Sequence, residues 1–306
     1  MRTAFSETLL ELALRDPRIW LVCGDLGYSV LDKFMAACPD RFLNAGVAEQ
    51  NMMGVAAGLA LSGKTVFVYS IVNFPTLRCL EQIRNDVCYH EANVKIVTVG
   101  GGFAYAGQGY THHGVEDLAI LRSLPGMTVV APGDAAETRL AALAIAATSG
   151  PCYLRLGRGG EAKVHAAPPD FQIGKAITVR EGTDLAFLSI GGMLKTAVDT
   201  ADQLAKEGIG VRVLSMHTLK PLDEEAVLVA ARETGGIVTI EEHSVTGGLG
   251  DAVADVLARR APERTPFHKV GAADRVCHDV GCQRYMQRFA DPLADIARGI
   301  AQGKRR

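Results

Sequence analysis

No apolar run in the 306 residues approaches the ~20 needed to cross a bilayer; Gly54–Leu61 is among the longest. Met1-Arg2-Thr3-Ala4 opens straight into an amphipathic pattern without the apolar core of a secretory signal, so the expectation is a soluble, cytoplasmic protein. Charge of either sign is not in excess. Lys and Arg number 32 against 34 Asp and Glu, a net charge of -2, which directs the chain to neither nucleic acid nor an anionic membrane. With 48% hydrophobic and 22% charged residues, and a mean hydropathy of +0.13, disorder and fibrous repeats are excluded. The seven cysteines are an odd number, mostly set in apolar segments of a chain too large to need disulfides, and are read as reduced thiols. Neither an internal repeat nor a low-complexity tract is visible, apart from the basic end Lys304-Arg305-Arg306, read as a solvated terminus.

What is present is length, alternation and glycine. At roughly 150 residues per domain the chain predicts about two domains. Apolar strand patterns at Ile19–Gly24, Thr65–Ser70, Val94–Val99, Met127–Ala131 and Cys152–Leu156 alternate with helical patterns at Ala4–Leu14, Val47–Leu61, Phe74–Cys88, Val115–Ser123 and Ala135–Ala147. That order predicts an α/β fold with a mainly parallel sheet and ligand sites at the carboxyl ends of its strands. Around Gly159–Asp170 the pattern lapses into Gly, Ala and Pro, a candidate linker. A second, smaller α/β unit follows, with strands at Asp184–Ile190, Val211–Met216, Gly236–Glu241 and Pro266–Val270. Its helices are expected near Leu194–Lys206, Glu224–Arg232 and Leu249–Arg259. The division expected is residues 1–160, a linker over 161–180, and residues 181–306.

Three segments carry chemistry. In Asn44-Ala45-Gly46-Val47-Ala48-Glu49-Gln50-Asn51-Met52-Met53-Gly54, a single carboxylate opens a helix of small and apolar residues. Buried there, Glu49 needs a partner, or it merely answers the helix dipole. In Asn73-Phe74-Pro75-Thr76-Leu77-Arg78, an aromatic ring stands at a strand-to-helix turn, with a cation one turn further on. In Gly107-Gln108-Gly109-Tyr110-Thr111-His112-His113-Gly114, glycines bring backbone and two imidazoles near a ligand. No third ligand stands at a metal-binding spacing from the paired histidines, so no metal is expected on this chain.

These three segments resemble the pyrimidine-binding domain of transketolases, and the remainder is similar, more generically, to their C-terminal domain. The resemblance implies thiamine diphosphate as cofactor. It gives Glu49 the hydrogen bond to N1′ of the aminopyrimidine, where a carboxyl can share a proton and favour the imino form that deprotonates the thiazolium. Phe74 matches the ring that stacks on the pyrimidine, and Asp25, in Gly24-Asp25-Leu26-Gly27, matches a turn near the cofactor, unless it only caps that turn. His112 matches the histidine that contacts sugar hydroxyls and moves protons, with His113 beside it. Gln108 stands where the family has an Asp, and unlike a carboxylate it both donates and accepts. Gly100 stands where the family places a phosphate-binding His. Arg158 and Arg2 still match phosphate-binding arginines, or form surface ion pairs, and Arg78 faces substrate or an interface between subunits.

Because residue 1 falls at the start of the pyrimidine domain, the chain resembles the second subunit of a split transketolase. Mg²⁺ and the diphosphate would be held mainly by an N-terminal-type partner in an α2β2 heterotetramer. The implied reaction transfers a two-carbon ketol unit between specialised sugars or sugar phosphates. The alternatives are a 2-oxoacid dehydrogenase β subunit or a deoxyxylulose-phosphate-synthase-like enzyme, and a non-catalytic regulatory subunit. Gly24-Asp25 followed by Asn44, Gly133-Asp134 and Cys277-His278-x3-Cys282 are set aside as decoys for metal sites. Glu241-Glu242-His243, ahead of Thr246-Gly247-Gly248, is expected at a subunit interface.

Overall fold

The computed structural model describes residues 1–261 and 265–304; Arg305 and Arg306 of the basic end lie outside them. The strands are β1 (Ile19–Cys23), β2 (Phe42–Asn44), β3 (Thr65–Ile71), β4 (Val94–Val99), β5 (Thr128–Val130), β6 (Cys152–Leu156), β7 (Ile177–Arg180), β8 (Leu185–Ile190), β9 (Val211–Ser215), β10 (Thr218–Lys220), β11 (Ile237–Ser244) and β12 (Phe267–Ala272). Among the described residues the first sheet runs β10-β5-β6-β4-β3-β1-β2 and the second β12-β11-β8-β9-β7. Pairing is parallel except at two edges, where β10 runs antiparallel to β5 and β7 antiparallel to β9. The α/β class and mainly parallel sheets expected from the alternation are therefore observed.

β3, β4 and β6 are mostly apolar and almost wholly buried, as strands covered on both faces must be. One face is covered by helix Arg2–Arg15, through Phe5 and Leu9, and by helix Ala135–Ala147, through Ala141 and Ile145. Asp134 caps the latter by accepting the Glu137 N–H at 3.0 Å, so Gly133-Asp134 is a helix start and not a metal motif. The other face is covered by helix Glu49–Leu61, whose Met52, Met53, Ala56 and Ala57 face the sheet while Gly54 and Gly58 face outward. Each buried Met contributes roughly 1.5–3 kcal/mol. That same core continues into the second unit through Leu188, Ile190, Leu214 and Val253, so the two sheets share one hydrophobic mass.

Differences from the sequence reading fall at short elements. β7 lies inside the 161–180 stretch read as linker, and β10 leaves the second unit to extend the first sheet. The helix expected over Phe74–Cys88 is broken. Asn73–Thr76 is one turn, Cys79 departs from helical dihedrals (φ -106°, ψ 14°), and Ile83–Cys88 is a π-helical segment. Glu241, Glu242 and His243, expected at a contact between subunits, are buried within this chain. Glu242 Oε1 accepts the Phe103 N–H at 3.0 Å, His243 Nε2 accepts the Ala119 N–H at 3.3 Å, and Glu241 caps helix Leu249–Arg260 through the Leu249 and Gly250 N–H groups. Glu242 and His243 thus bond the first unit to the second, while Glu241 holds a helix within the second.

Candidate active site

The first sheet is wound in both directions from β1, which pairs with β2 on one side and β3 on the other. Ligand sites in such sheets form beyond the carboxyl ends of the strands. Asp25 follows β1, Glu49 follows β2, Phe74 follows β3, the Gly100–His113 loop follows β4, and Arg158 follows β6.

Glu49 opens its helix with a side chain only 2% exposed. Its Oε2 accepts from Arg78 Nη1 at 2.6 Å, whereas Arg78 itself is 49% exposed, so the pair is closed at the carboxylate and open at the guanidinium. Gly24 lies against the Glu49 side chain, where a Cβ would sit at ordinary contact, 3.5 Å from Glu49 Cγ. Asp25 is exposed. Its N–H donates to Asn44 Oδ1 at 3.0 Å and its Oδ1 accepts from Asn44 Nδ2 at 2.9 Å, fastening the ends of β1 and β2 just ahead of Glu49.

Arg78 Cζ lies 5.2 Å from the centroid of the half-buried Phe74 ring, and that ring meets His112 edge-on at 5.3 Å. Tyr105 stands 6.5 Å beyond His112, and Arg158 Cζ lies 6.0 Å from the centre of the Tyr105 ring. Glu49, Arg78, Phe74, His112, Tyr105 and Arg158 thus form one continuous row along the sheet edge. Asn73 Nδ2 donates to Thr111 O at 3.0 Å and His113 O at 2.8 Å, tying the histidine loop to the Phe74 turn. Burial, with His113 nearby, holds the His112 imidazole below its ordinary range, leaving it neutral at pH 7. Its Nδ1 is 3.0 Å from Thr111 Oγ1, which leaves Nε2 to face a substrate. Cys79, beneath the row, is no nucleophile, for burial and then the charge of Glu49 push its thiol up to about 12.

Some residues named from the sequence are not brought into the row. His113 is buried, its ring edge-on to Phe103 at 5.2 Å and its Nε2 3.4 Å from Ala106 O, so it points inward where His112 points outward. Gln108 is exposed on the turn Ala106–Gln108, on the same loop. Arg2 lines a separate groove with Ser6, Ser29 and Asp32. Tyr105 and Asn73 were not singled out from the sequence, and Asn44 was named there only with Gly24-Asp25 as a decoy. Asn73, directly ahead of Phe74, carried the one available signal. Among the described residues no cluster of three His, Cys, Asp or Glu side chains is placed to hold a metal ion. A buried carboxyl and a half-buried aromatic ring, linked through Arg78, suit an aminopyrimidine, whose ring nitrogen can share a proton with the one and whose flat face can lie on the other.

Two α/β units sharing a core, with such a site at the carboxyl ends of the first sheet's strands, are the architecture of a thiamine-dependent enzyme. Residues 1–160 match the family model for the transketolase pyrimidine binding domain and residues 174–279 that for the transketolase C-terminal domain. The chain belongs to the transketolase family. It is 41% identical over 301 residues, 97% of this chain and 92% of that protein, to the 6-deoxy-6-sulfo-D-fructose transketolase subunit SqwH of Clostridium sp. (strain MSTE9). It is 42% identical over 89% of its length, and 87% of the relative's, to an apulose-4-phosphate transketolase subunit of Phocaeicola vulgatus. Among solved structures it resembles a split gene transketolase described as an inactive beta4 tetramer, with a TM-score of 0.88, 39% identity, and coverage of 98% of this chain and 97% of that one.

Proposed function

We propose that this chain is the pyrimidine-side subunit of a two-subunit, thiamine diphosphate-dependent transketolase that transfers a two-carbon ketol unit from a ketose to an aldehyde or keto acceptor. The single observation that carries the reading is the row from Glu49 to Arg158, with a buried carboxylate at one end and an exposed cation at the other. When bound, thiamine diphosphate supplies a carbon nucleophile for the ketose carbonyl and an electron sink for the two-carbon fragment. Glu49 holds or shares a proton at the pyrimidine nitrogen. Phe74 supports the flat face of the ring, and Asp25 and Asn44 set the turn beside it. His112, neutral, takes or returns a proton at Nε2 and holds substrate hydroxyls, while Gln108 on the same loop reads a hydroxyl as donor or acceptor. Arg158 receives an anionic substrate end.

An N-terminal-type partner subunit holds Mg²⁺ and the diphosphate in an α2β2 assembly. Exposed apolar side chains on the segments that carry the site, Tyr28, Val47, Leu61 and Leu77, support a partner surface there, and Arg78 stands at its border. Seven free thiols suit a reducing compartment, the cytoplasm. A specialised ketose is favoured by Gly100 and Gln108, and by the sulfonated and phosphorylated sugars in the relatives' names.

The test is calorimetry of thiamine diphosphate and Mg²⁺ on this chain alone and mixed with the partner, followed by a ketose screen. Tight binding only in the mixture, weakened in Glu49→Ala, is the expected result. Tight binding to the chain alone overturns the shared site. Carbon dioxide release from pyruvate without ketol transfer overturns the reaction in favour of a decarboxylating enzyme, and full turnover by Glu49→Ala makes the subunit a non-catalytic one.

A further inference from the structure

The loop after β4 begins Gly100-Gly101-Gly102, and its first position holds a φ of +88°. A Cβ at Gly100 would lie 2.2 Å from both Cδ2 and Cε2 of Tyr105. The Tyr105 ring therefore fills the space into which a side chain at position 100, at the carboxyl end of a central strand, would project. The same ring is half-buried, faces His112, and has the guanidinium of exposed Arg158 over it.

We propose that Tyr105 is a specificity-determining residue that forms the far wall of the substrate site, holding Arg158 over its ring so that the pair receives a ketose ending in a tetrahedral anion, phosphate or sulfonate. The proposal rests on the reading of the site given above. Two physical effects support it. An exposed arginine loses rotamer freedom when it grips an anion, and an aromatic face that already carries the guanidinium lowers that loss. A flat, half-buried ring also shortens the site without adding a charge of its own. Selectivity between the phosphate and sulfonate ends then depends on how Arg158 approaches the anion, while rejection of a neutral end follows from leaving Arg158 unpaired.

The experiment uses the enzyme reconstituted from both subunits with thiamine diphosphate and Mg²⁺. It compares wild type, Tyr105→Phe, Tyr105→Ala and Arg158→Ala. Calorimetric Kd is measured for a hexulose 6-phosphate, a 6-deoxy-6-sulfohexulose and the neutral hexulose, and KM and kcat are measured in parallel. Tyr105→Ala is expected to raise Kd and KM about tenfold for whichever anionic ketose the wild type prefers, with kcat and the neutral ketose within about twofold. Tyr105→Phe keeps the wild-type preference, and Arg158→Ala reproduces the alanine effect. Equal weakening of charged and neutral sugars by Tyr105→Ala, or no change, overturns the proposal, as does a wild type that binds the neutral ketose as tightly as both anionic ones. Ketose binding that follows the expected pattern without ketol transfer overturns the reaction assigned above and leaves the role of Tyr105 standing.

Discussion

Two arginine–carboxylate pairs in the first unit are alike in distance and opposite in setting. Asp117 and Arg155 are both enclosed, 1% and 5% exposed, with Arg155 Nε on Asp117 Oδ2 at 2.8 Å and Arg155 Nη2 donating to Gly114 O at 2.6 Å and Glu242 O at 2.9 Å. Tyr153 adds its hydroxyl to the same carboxylate oxygen at 2.5 Å. Glu49 and Arg78 are as close, but Arg78 stands half in solvent. An enclosed pair has its donors committed to the protein, so it holds the subunit's two halves and the base of the histidine loop together. A half-open pair leaves its cation free to move, and only that movement would open the buried carboxylate to a ligand.

The largest effect is expected at the open pair, through activity. Glu49→Gln should lower kcat/KM of the assembled enzyme by about 10³-fold, about 4 kcal/mol, while stability changes by less than about 1 kcal/mol. Steady-state kinetics beside thermal melts separate the two, and a melt that collapses would make Glu49 structural. At the enclosed pair the effect moves to folding. Arg155→Met leaves Asp117 buried without its partner and should cost about 3 kcal/mol in urea denaturation. A loss under about 1 kcal/mol would refute the distinction.

His112→Asn should reduce kcat about 10²-fold. In the wild type, a neutral His112 in service implies that kcat/KM falls as pH drops through and below the ordinary imidazole range of about 6.5, because the protonated ring no longer accepts. The acid limb should vanish in the Asn variant.

Glu241 carries the contrast into stability alone. Burial pushes its carboxyl from the ordinary 4.5 to about 7, although two backbone N–H groups oppose the shift. The folded chain thus keeps a proton that the unfolded chain has lost between those values. Its contribution to stability is full below about 4.5 and is lost as pH rises to about 7. Glu241→Gln should flatten that slope, read as a smaller difference in melting temperature between about pH 5 and pH 8. Gly54→Ala is the mildest change. It adds a methyl group in open space on the outer face of its helix and should stabilise the subunit alone by about 0.5–1 kcal/mol. Gly54→Leu, equally tolerated alone, should weaken assembly with the partner in sedimentation runs if that face is covered.

Much of this was legible because it depends on local pattern. β4, β6 and helix Ala135–Ala147 follow from apolar periodicity, and the candidate residues follow strand ends in the sequence as they do in space. What depended on distant contacts was not legible. β2, β7 and β10 are three or four residues long and exist as strands only because a neighbour pairs with them. That His112 faces out and His113 in is decided by the Gly102–Gly114 bridge and the bonds from Asn73, neither of which the dipeptide itself encodes. Gly100 stood out in the sequence as a departure from the family, but that the Tyr105 ring fills the space beside it is a contact across the loop that a string of letters does not carry.

The excursion of β10 makes the chain hard to sever. Thr218–Lys220 leave the second unit to complete the border of the first sheet beside β5. A protease that nicked the stretch between β6 and β7 would produce two fragments still bound through that strand and the common apolar mass. Made by itself, the first fragment would carry β5 as a raw border inviting any extended peptide. The two units are therefore separate in the order of their elements but a single object in folding, and neither is a module that can be exchanged without the other.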